Sequence, residues 1–193
     1  MSTAEPPDVD VVIVGAGPAG MACAATLLEL TGLTVSIIDA GHALGGQYWR
    51  QPAAASGPGA VRPEGQRDLH HDLATYEALR TRLDRGRATG RLSVRTAHHV
   101  WAVDEDDGGY AVHAVERGRA GHVGGATVTG RALVIATGAF DRTLPFPGWD
   151  LPGVLTAGGV QALLKAADVP AGRRVAIGGT GPFLLPVAAG LAR

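Results

Sequence analysis

One stretch limits what this chain can fold into: Asp10-Val-Val-Ile-Val-Gly-Ala-Gly-Pro-Ala-Gly20. Val11 to Val14 form an unbroken β-branched run, the pattern of a parallel strand covered on both faces. Gly15, Gly17 and Gly20 follow in Gly-x-Gly-x-x-Gly spacing. In such a loop the first glycine allows the tight turn, the second lets backbone approach a pyrophosphate, and the third lets the next helix pack close to the strand. That helix is predicted over Met21 to Leu30, its N-terminal N–H groups and positive dipole end directed at phosphate. Gly32 is placed to end it. A second apolar run, Leu33 to Ile38, ends in Asp39, 19 residues after Gly20. An acid at that distance is placed to meet the ribose hydroxyls of an adenine nucleotide. Strand, glycine turn, helix, strand and acid together form a dinucleotide-binding βαβ unit.

Composition excludes several partners. The net charge is −1, so nothing argues for nucleic acid or an anionic membrane. The apolar runs are too short for a bilayer span. Residues 1–9 lack a basic start and an apolar core, so they read as a loose tail and not as a signal peptide. A single cysteine, Cys23, excludes an internal disulfide and a Cys-x-x-Cys redox pair; it reads as a small buried apolar residue in a cytoplasmic setting.

Residues 40–66 read as a long loop. In its first part, Gly45 and Gly46 let backbone run along a cofactor, Gln47 offers it a hydrogen bond, and Tyr48 and Trp49 offer cover for a flat ring; Pro52 to Pro63 reads as a disordered excursion. Residues 67–85 show the three–four spacing of an amphipathic helix through Leu69, Leu73, Tyr76, Leu79 and Leu83, with Gly86 as its cap. His70 and His71 adjoin on that helix and point apart, so they are not a metal pair. A strand at Leu92 to Arg95 precedes a three-stranded antiparallel meander at about 98–130, with turns at Asp106 to Gly109 and Gly118 to Gly121. The acidic turn reads as a solvated tip, and no metal site is expected.

Ala132 to Ala136 reads as a second buried parallel strand running into Thr137-Gly138. Small residues at the carboxyl end of a parallel strand lie where α/β sheets take ligands. Thr156 is an N-cap for a helix over about Ala157 to Ala167. A strand at Arg173 to Ile177 leads into Gly178-Gly-Thr-Gly-Pro-Phe-Leu184 and a final helix. This second nucleotide turn has Leu184 at the third glycine position, where its bulk pushes helix from strand and crowds a pyrophosphate.

Two nucleotide turns, an inserted meander and an Ala-Thr-Gly strand end together resemble the flavoproteins with two dinucleotide-binding domains, the pyridine nucleotide-disulfide oxidoreductase fold. The resemblance covers about residues 9–193 and the N-terminal portion of that fold. It implies an α/β protein: a tail over 1–9, a Rossmann-like FAD-binding domain over 10–147 with parallel sheet and inserted meander, and over 148–193 a linker and the start of a second, NAD(P)-type domain. Residues 40–66 hold no cysteine, which excludes the glutathione- and lipoamide-type disulfide reductases. Gly45-Gly-Gln47, Leu151-Pro-Gly-Val-Leu-Thr-Ala-Gly-Gly-Val-Gln161 and Gly181-Pro-Phe-Leu-Leu-Pro186 are similar to the FAD-binding subunits of opine oxidases, hydrogen cyanide synthases, dye-linked proline dehydrogenases and sarcosine oxidase.

That resemblance implies an FAD-dependent oxidoreductase, one subunit of an amino-acid or amine dehydrogenase or oxidase that works on a carbon–nitrogen bond. It implies a hetero- or homo-oligomer, in which the amine or amino-acid substrate could be handled by a partner chain. It implies that Gly15, Gly17, Pro18, Ala19 and Gly20 hold the FAD pyrophosphate, that Asp39 and Ala40 lie at the adenosine ribose, that Gly46 and Gln47 approach the flavin side, that Val100 meets adenine through its backbone, and that Thr137 and Gly138 pass close to the pyrophosphate. No residue is assigned as general base. The family's late Gly-Asp segment lies beyond these residues, so weak FAD retention and association with another chain are expected. Two alternatives stand beside this reading: an NAD(P)H-dependent flavin reductase, which needs a working second nucleotide site against the crowding by Leu184, and a fragment serving as a non-catalytic assembly module.

Overall fold

A computed structural model describes residues 7–52, 70–106, 108–117, 123–167 and 169–192. The chain divides into two compact units, Met1–Trp49 with Asp72–Gly138 and Arg50–His71 with Ala139–Arg193.

The first unit is built on six strands and two helices: β1 (Val9–Val14), α1 (Pro18–Leu30), β2 (Val35–Ile38), α2 (Leu73–Ala88), β3 (Leu92–Arg95), β4 (His98–Asp106), β5 (Gly109–Arg117) and β6 (Val123–Ile135). The sheet order is β3-β2-β1-β6-β5-β4. β1 runs parallel to β2 and β6, and β2 parallel to β3, while β4, β5 and β6 are antiparallel neighbours. Alternation explains the unbroken apolar run of β1. Val11 and Ile13 pack with Met21, Ala24 and Leu28 of α1 and Tyr76, Leu79 and Leu83 of α2. Val12 and Val14 face the other way and pack with Ile38 and with Val112, Ala114 and Val128 of the meander.

The meander reaches that second face through β6. The sequence suggests two strands, 123–129 and 132–136; the structure has one continuous strand of 13 residues. Its first half pairs antiparallel with β5 up to Gly130, and its second pairs parallel with β1 from Gly130 onward. The handover needs a residue without a side chain: a Cβ at Gly130 would lie 2.7 Å from a Val12 methyl. The second half is also less buried than expected. The two apolar clusters take in its Leu133 and Val134 only as half-buried edges, and Ile135 is 62% exposed.

Other boundaries move for local reasons. Asp8 hydrogen-bonds Thr129 through its backbone N–H and its carboxylate, and β1 begins at Val9, so the tail is shorter than nine residues; residues 1–6 lie outside the described chain. Helix α1 is closed by Thr31, whose N–H and hydroxyl both donate to the Leu27 carbonyl, and not by Gly32. Helix α2 starts after Asp72, whose carboxylate accepts from the Thr75 N–H, so His70 and His71 precede the helix. Gly86 is interior to α2, pressed against Leu28 and Leu92, and does not cap it. The excursion from residue 53, Leu69 and the turn at 118–121 fall outside the described residues.

The second unit contains α3 (Ala157–Ala167) and α4 (Leu184–Leu191). The Thr156 hydroxyl accepts from the Gly159 N–H at 3.1 Å, the expected N-cap. The strand expected at 173–177 is not formed: among the described residues this unit offers it no ladder partner, and Val175 and Ile177 are 43% and 42% exposed. No helix among the described residues is long and apolar enough to cross a membrane.

Candidate nucleotide-binding cleft

The glycine loop joins β1 to α1, and its three glycines have different obligations. Gly15 has φ +109°, and a Cβ there would lie 2.3 Å from the Ala136 carbonyl oxygen. A Cβ on Gly20 would lie 1.9 Å from the Gly15 carbonyl oxygen. Both glycines are demanded by the protein's own packing. Gly17 is different: the nearest atom to its Cβ position is Gly46 Cα at 3.9 Å, ordinary contact. Among the described residues, no packing contact requires a glycine at 17. Gly17 is also the N-cap of α1, with Pro18 following, no side-chain cap bond and no acid in the first turn. The helix therefore presents N–H groups without a side-chain acceptor beside an open surface.

Asp39 ends β2 and is tied to this loop. One carboxylate oxygen accepts from the Ala16 N–H at 2.6 Å and the other from the Gly41 N–H at 2.6 Å. Two oxygens carry about four acceptor positions, so capacity remains for hydroxyl donors. The segment after Asp39 folds back across the loop. The Gly45 N–H donates to the Ala16 carbonyl at 2.8 Å, and a Cβ on Gly46 would lie 2.8 Å from Gly17 Cα.

A cleft of about 320 Å³ opens beside these groups, lined by Gly15, Asp39, Ala40, His98, Val100 and Thr137 among others. Five of those six are residues that the sequence singles out. Gly17 and Gly46 adjoin each other at the glycine loop, with Pro18, Ala19 and Gly20 opening α1. Gln47 is exposed, and Gly138 follows Thr137 with φ +70°. His98 and His99 escape the sequence reading. Both line the cleft; His98 pairs its Nδ1 with the Thr96 carbonyl at 2.7 Å and donates its backbone N–H to the Asp39 carbonyl at 3.0 Å. Their adjacency to Val100 is the available signal. The expectation that Tyr48 and Trp49 both cover a ring is corrected for Trp49. It is 3% exposed, with its ring 5.6 Å from that of Tyr76, and belongs to the helix-side core. Tyr48 is 47% exposed. No cluster of metal-binding side chains occurs among the described residues.

In the second unit Gly179 has φ +144° and Gly181 φ +108°. Leu184 Cδ1 lies 3.1 Å from the Cβ position of Gly179, so its side chain folds over the glycine turn.

The family model described as pyridine nucleotide-disulphide oxidoreductase matches residues 9–193. The chain belongs to that family. Among curated proteins it is similar to an opine oxidase subunit of Rhizobium meliloti (strain 1021), 37% identical over 93% of this chain and 35% of the relative. It is also similar to the hydrogen cyanide synthase subunit HcnB of Pseudomonas protegens, 33% identical over 92% of this chain and 34% of the relative. Among solved structures, L-proline dehydrogenase from P. horikoshii superposes with a TM-score of 0.66 at 24% identity, over 95% of this chain and 33% of that one. The chain thus spans about a third of the length of these relatives. The shared fold is the Rossmann-like α/β fold of a family of FAD-dependent oxidoreductases.

Proposed function

We propose that this chain forms the FAD-holding part of a flavin-dependent subunit that serves the oxidation of a carbon–nitrogen bond in an amino acid or amine. The observation that carries the reading is Gly17: a glycine that packing among the described residues does not require, at the start of α1 with no side-chain cap, in the loop whose Gly15 lines a cleft with Asp39. A dinucleotide pyrophosphate fits that need, because it takes the space a side chain would fill and the N–H groups a cap would use.

In this reading Gly15, Gly17, Pro18, Ala19 and Gly20, with Thr137 and Gly138, hold the pyrophosphate. Asp39 and Ala40 hold the ribose, Val100 meets the adenine, and Gly46 and Gln47 approach the flavin. Bound FAD would supply a two-electron acceptor for the amine. The chain's own residues bind and orient it, and none is assigned as the base. The names of the relatives support the substrate class and the association with partner subunits. The proposal includes an FAD domain over 10–147, the start of an NAD(P)-type domain over 148–193, and a cytoplasmic setting. Leu184 over Gly179 argues against NAD(P)H as the working reductant.

Two substitutions test it together. Gly17→Ala makes only ordinary contact with Gly46 at an unstrained φ of −72°, so the loss of an N-cap glycine and the stiffer unfolded chain should offset and leave apo stability within about 1 kcal/mol while FAD affinity falls. Gly20→Ala collides with backbone and should lower stability as well as binding. Equal FAD titration curves for wild type and Gly17→Ala would remove the loop from the site.

A further inference from the structure

The outer face of the meander carries a side-chain cluster with no part in the cleft. At the middle of β4, Val100 pairs with Ala114 and Ala102 with His113, leaving Trp101 as the extra residue of a β-bulge. Bulges re-aim side chains. This one leaves Trp101 69% exposed on a strand whose neighbour β5 buries Val112 and Ala114. His113, between those two, points to the opposite face. Its ring lies 5.7 Å from that of Trp101 at 40°. Neighbouring strands hold that imidazole at both nitrogens: Nδ1 is hydrogen-bonded to the Thr127 hydroxyl at 3.0 Å and Nε2 to Asp104 Oδ2 at 2.9 Å. The Asp104 side chain is itself 79% exposed. Ala102 and Ala111 are the cross-strand partners of His113 and Asp104, so the two side chains of the cluster face small residues across the ladder.

We propose that Trp101, braced by His113, and Asp104 form a docking platform for an arginine side chain of a partner polypeptide. The indole face attracts a cation, and the free carboxylate oxygen beside it accepts hydrogen bonds from one. Arginine fits better than lysine because its guanidinium is planar, stacks on an aromatic ring and keeps donors at its edge for the carboxylate. A polypeptide fits better than a small cation, since the cluster lies on the open face of a sheet and small ligands are held in concavities. Tryptophan and arginine are both enriched among the residues from which interfaces gain most of their affinity. The platform stands apart from the FAD reading and does not rest on it.

The test uses the whole chain and a blocked five-residue peptide carrying two arginines, read by the Trp101 indole N–H resonance, assigned through its loss in Trp101→Phe. Saturable shifts are expected. The dissociation constant should rise about two- to fivefold in Asp104→Asn and by at least as much with a peptide carrying citrulline, which keeps the shape and lacks the charge. Both altered residues are exposed, so circular dichroism should be unchanged. Equal binding of the citrulline peptide, or no effect of Asp104→Asn, overturns the proposal. So does self-association by light scattering that Trp101→Ala abolishes, because the occupant would then be a second copy of the chain.

Discussion

The Asp39 carboxylate braces the loop and, in the proposed reading, also meets the ribose. It accepts from the N–H groups of Ala16 and Gly41 at 2.6 Å each, and so ties β2 to the glycine loop before any ligand arrives. Asp39→Asn puts an amide N–H₂ against one of those donors. Hydrogen bonds to charged groups contribute about 1.5–3 kcal/mol, and in a domain of this size each kcal/mol moves the melting temperature by roughly 2–4 °C. The apo protein should therefore melt roughly 3–12 °C lower, and FAD affinity should fall on the order of tenfold to a hundredfold. Thermal melting of apo protein and an FAD titration separate the two effects. A drop in affinity with unchanged melting would mean that the backbone ties carry no weight. The acid itself was legible in the sequence, because its distance from Gly20 follows from the length of a βαβ unit. Its backbone partners were not, since spacing does not show which N–H groups a carboxylate faces. Trp49 marks the opposite limit. An aromatic beside two glycines reads as a cofactor cover, yet the loop turns its ring into the core against Tyr76.

Among the elements, β1, β2 and β6 are fastened by polar groups that no periodicity discloses. The Asp10 carboxylate accepts from the backbone N–H and hydroxyl of Thr34 at 2.8 Å each and pairs with Arg131 of β6 at 3.2 Å. The Thr34 N–H, then its hydroxyl, and more weakly the Arg131 charge hold the Asp10 pKa below its usual 3.8. A folded-state pKa below the unfolded one favours the ionised, folded form. This contribution is present above about pH 4 and lost as pH falls through the depressed value. Glu29, bound to Arg82 across α1 and α2, behaves in the same sense. Denaturant midpoints should thus fall as pH drops below about 4, and Asp10→Asn should flatten that slope; an unchanged slope would exclude Asp10 as its source. Arg91, just before β3, donates to the carbonyls of Leu28 in α1 and of Thr31 and Leu33 just after it. A lysine has its three donors on one nitrogen and cannot match a planar fork that reaches these carbonyls from three nitrogens. Arg91→Lys should cost about 2 kcal/mol, roughly 4–8 °C of melting temperature, with FAD stoichiometry retained. Apart from β6, the regular elements of the first unit were visible from their apolar patterns. The single strand β6 was not, because Gly130 and Arg131 interrupt that pattern where the strand changes partner. The strand expected at 173–177 failed for the converse reason: its pattern is apolar, but a strand needs a neighbour to bond.

Across the whole molecule, the two units differ in what holds them. The first has two apolar clusters on opposite faces of one sheet, with Ile13, Met21, Ile37 and Leu83 fully buried. In the second, the buried apolar residues among those described are Val160 and Val187, while Phe140, Leu144, Phe183 and Leu185 are 65–87% exposed. Local stability follows buried apolar contact, so amides of α3 and α4 should exchange with solvent at lower free energy than those of β1 and β2. FAD sharpens the contrast. A ligand that binds only the folded state stabilises it by RT ln(1 + [L]/Kd), about 2.7 kcal/mol at a hundredfold excess over Kd. If the glycine loop and Asp39 hold FAD, amides of β1, β2 and the start of α1 should slow by about a hundredfold at that concentration. Amides of α4 should hold their rates, because Leu184 occupies the glycine turn that precedes them. Hydrogen exchange read by mass spectrometry with and without FAD decides this. Protection spread evenly over both units would show that they open together and that their unequal cores do not set local stability. Protection centred on α4 would move the nucleotide to the second turn and make Leu184 a contact for it and not an obstruction.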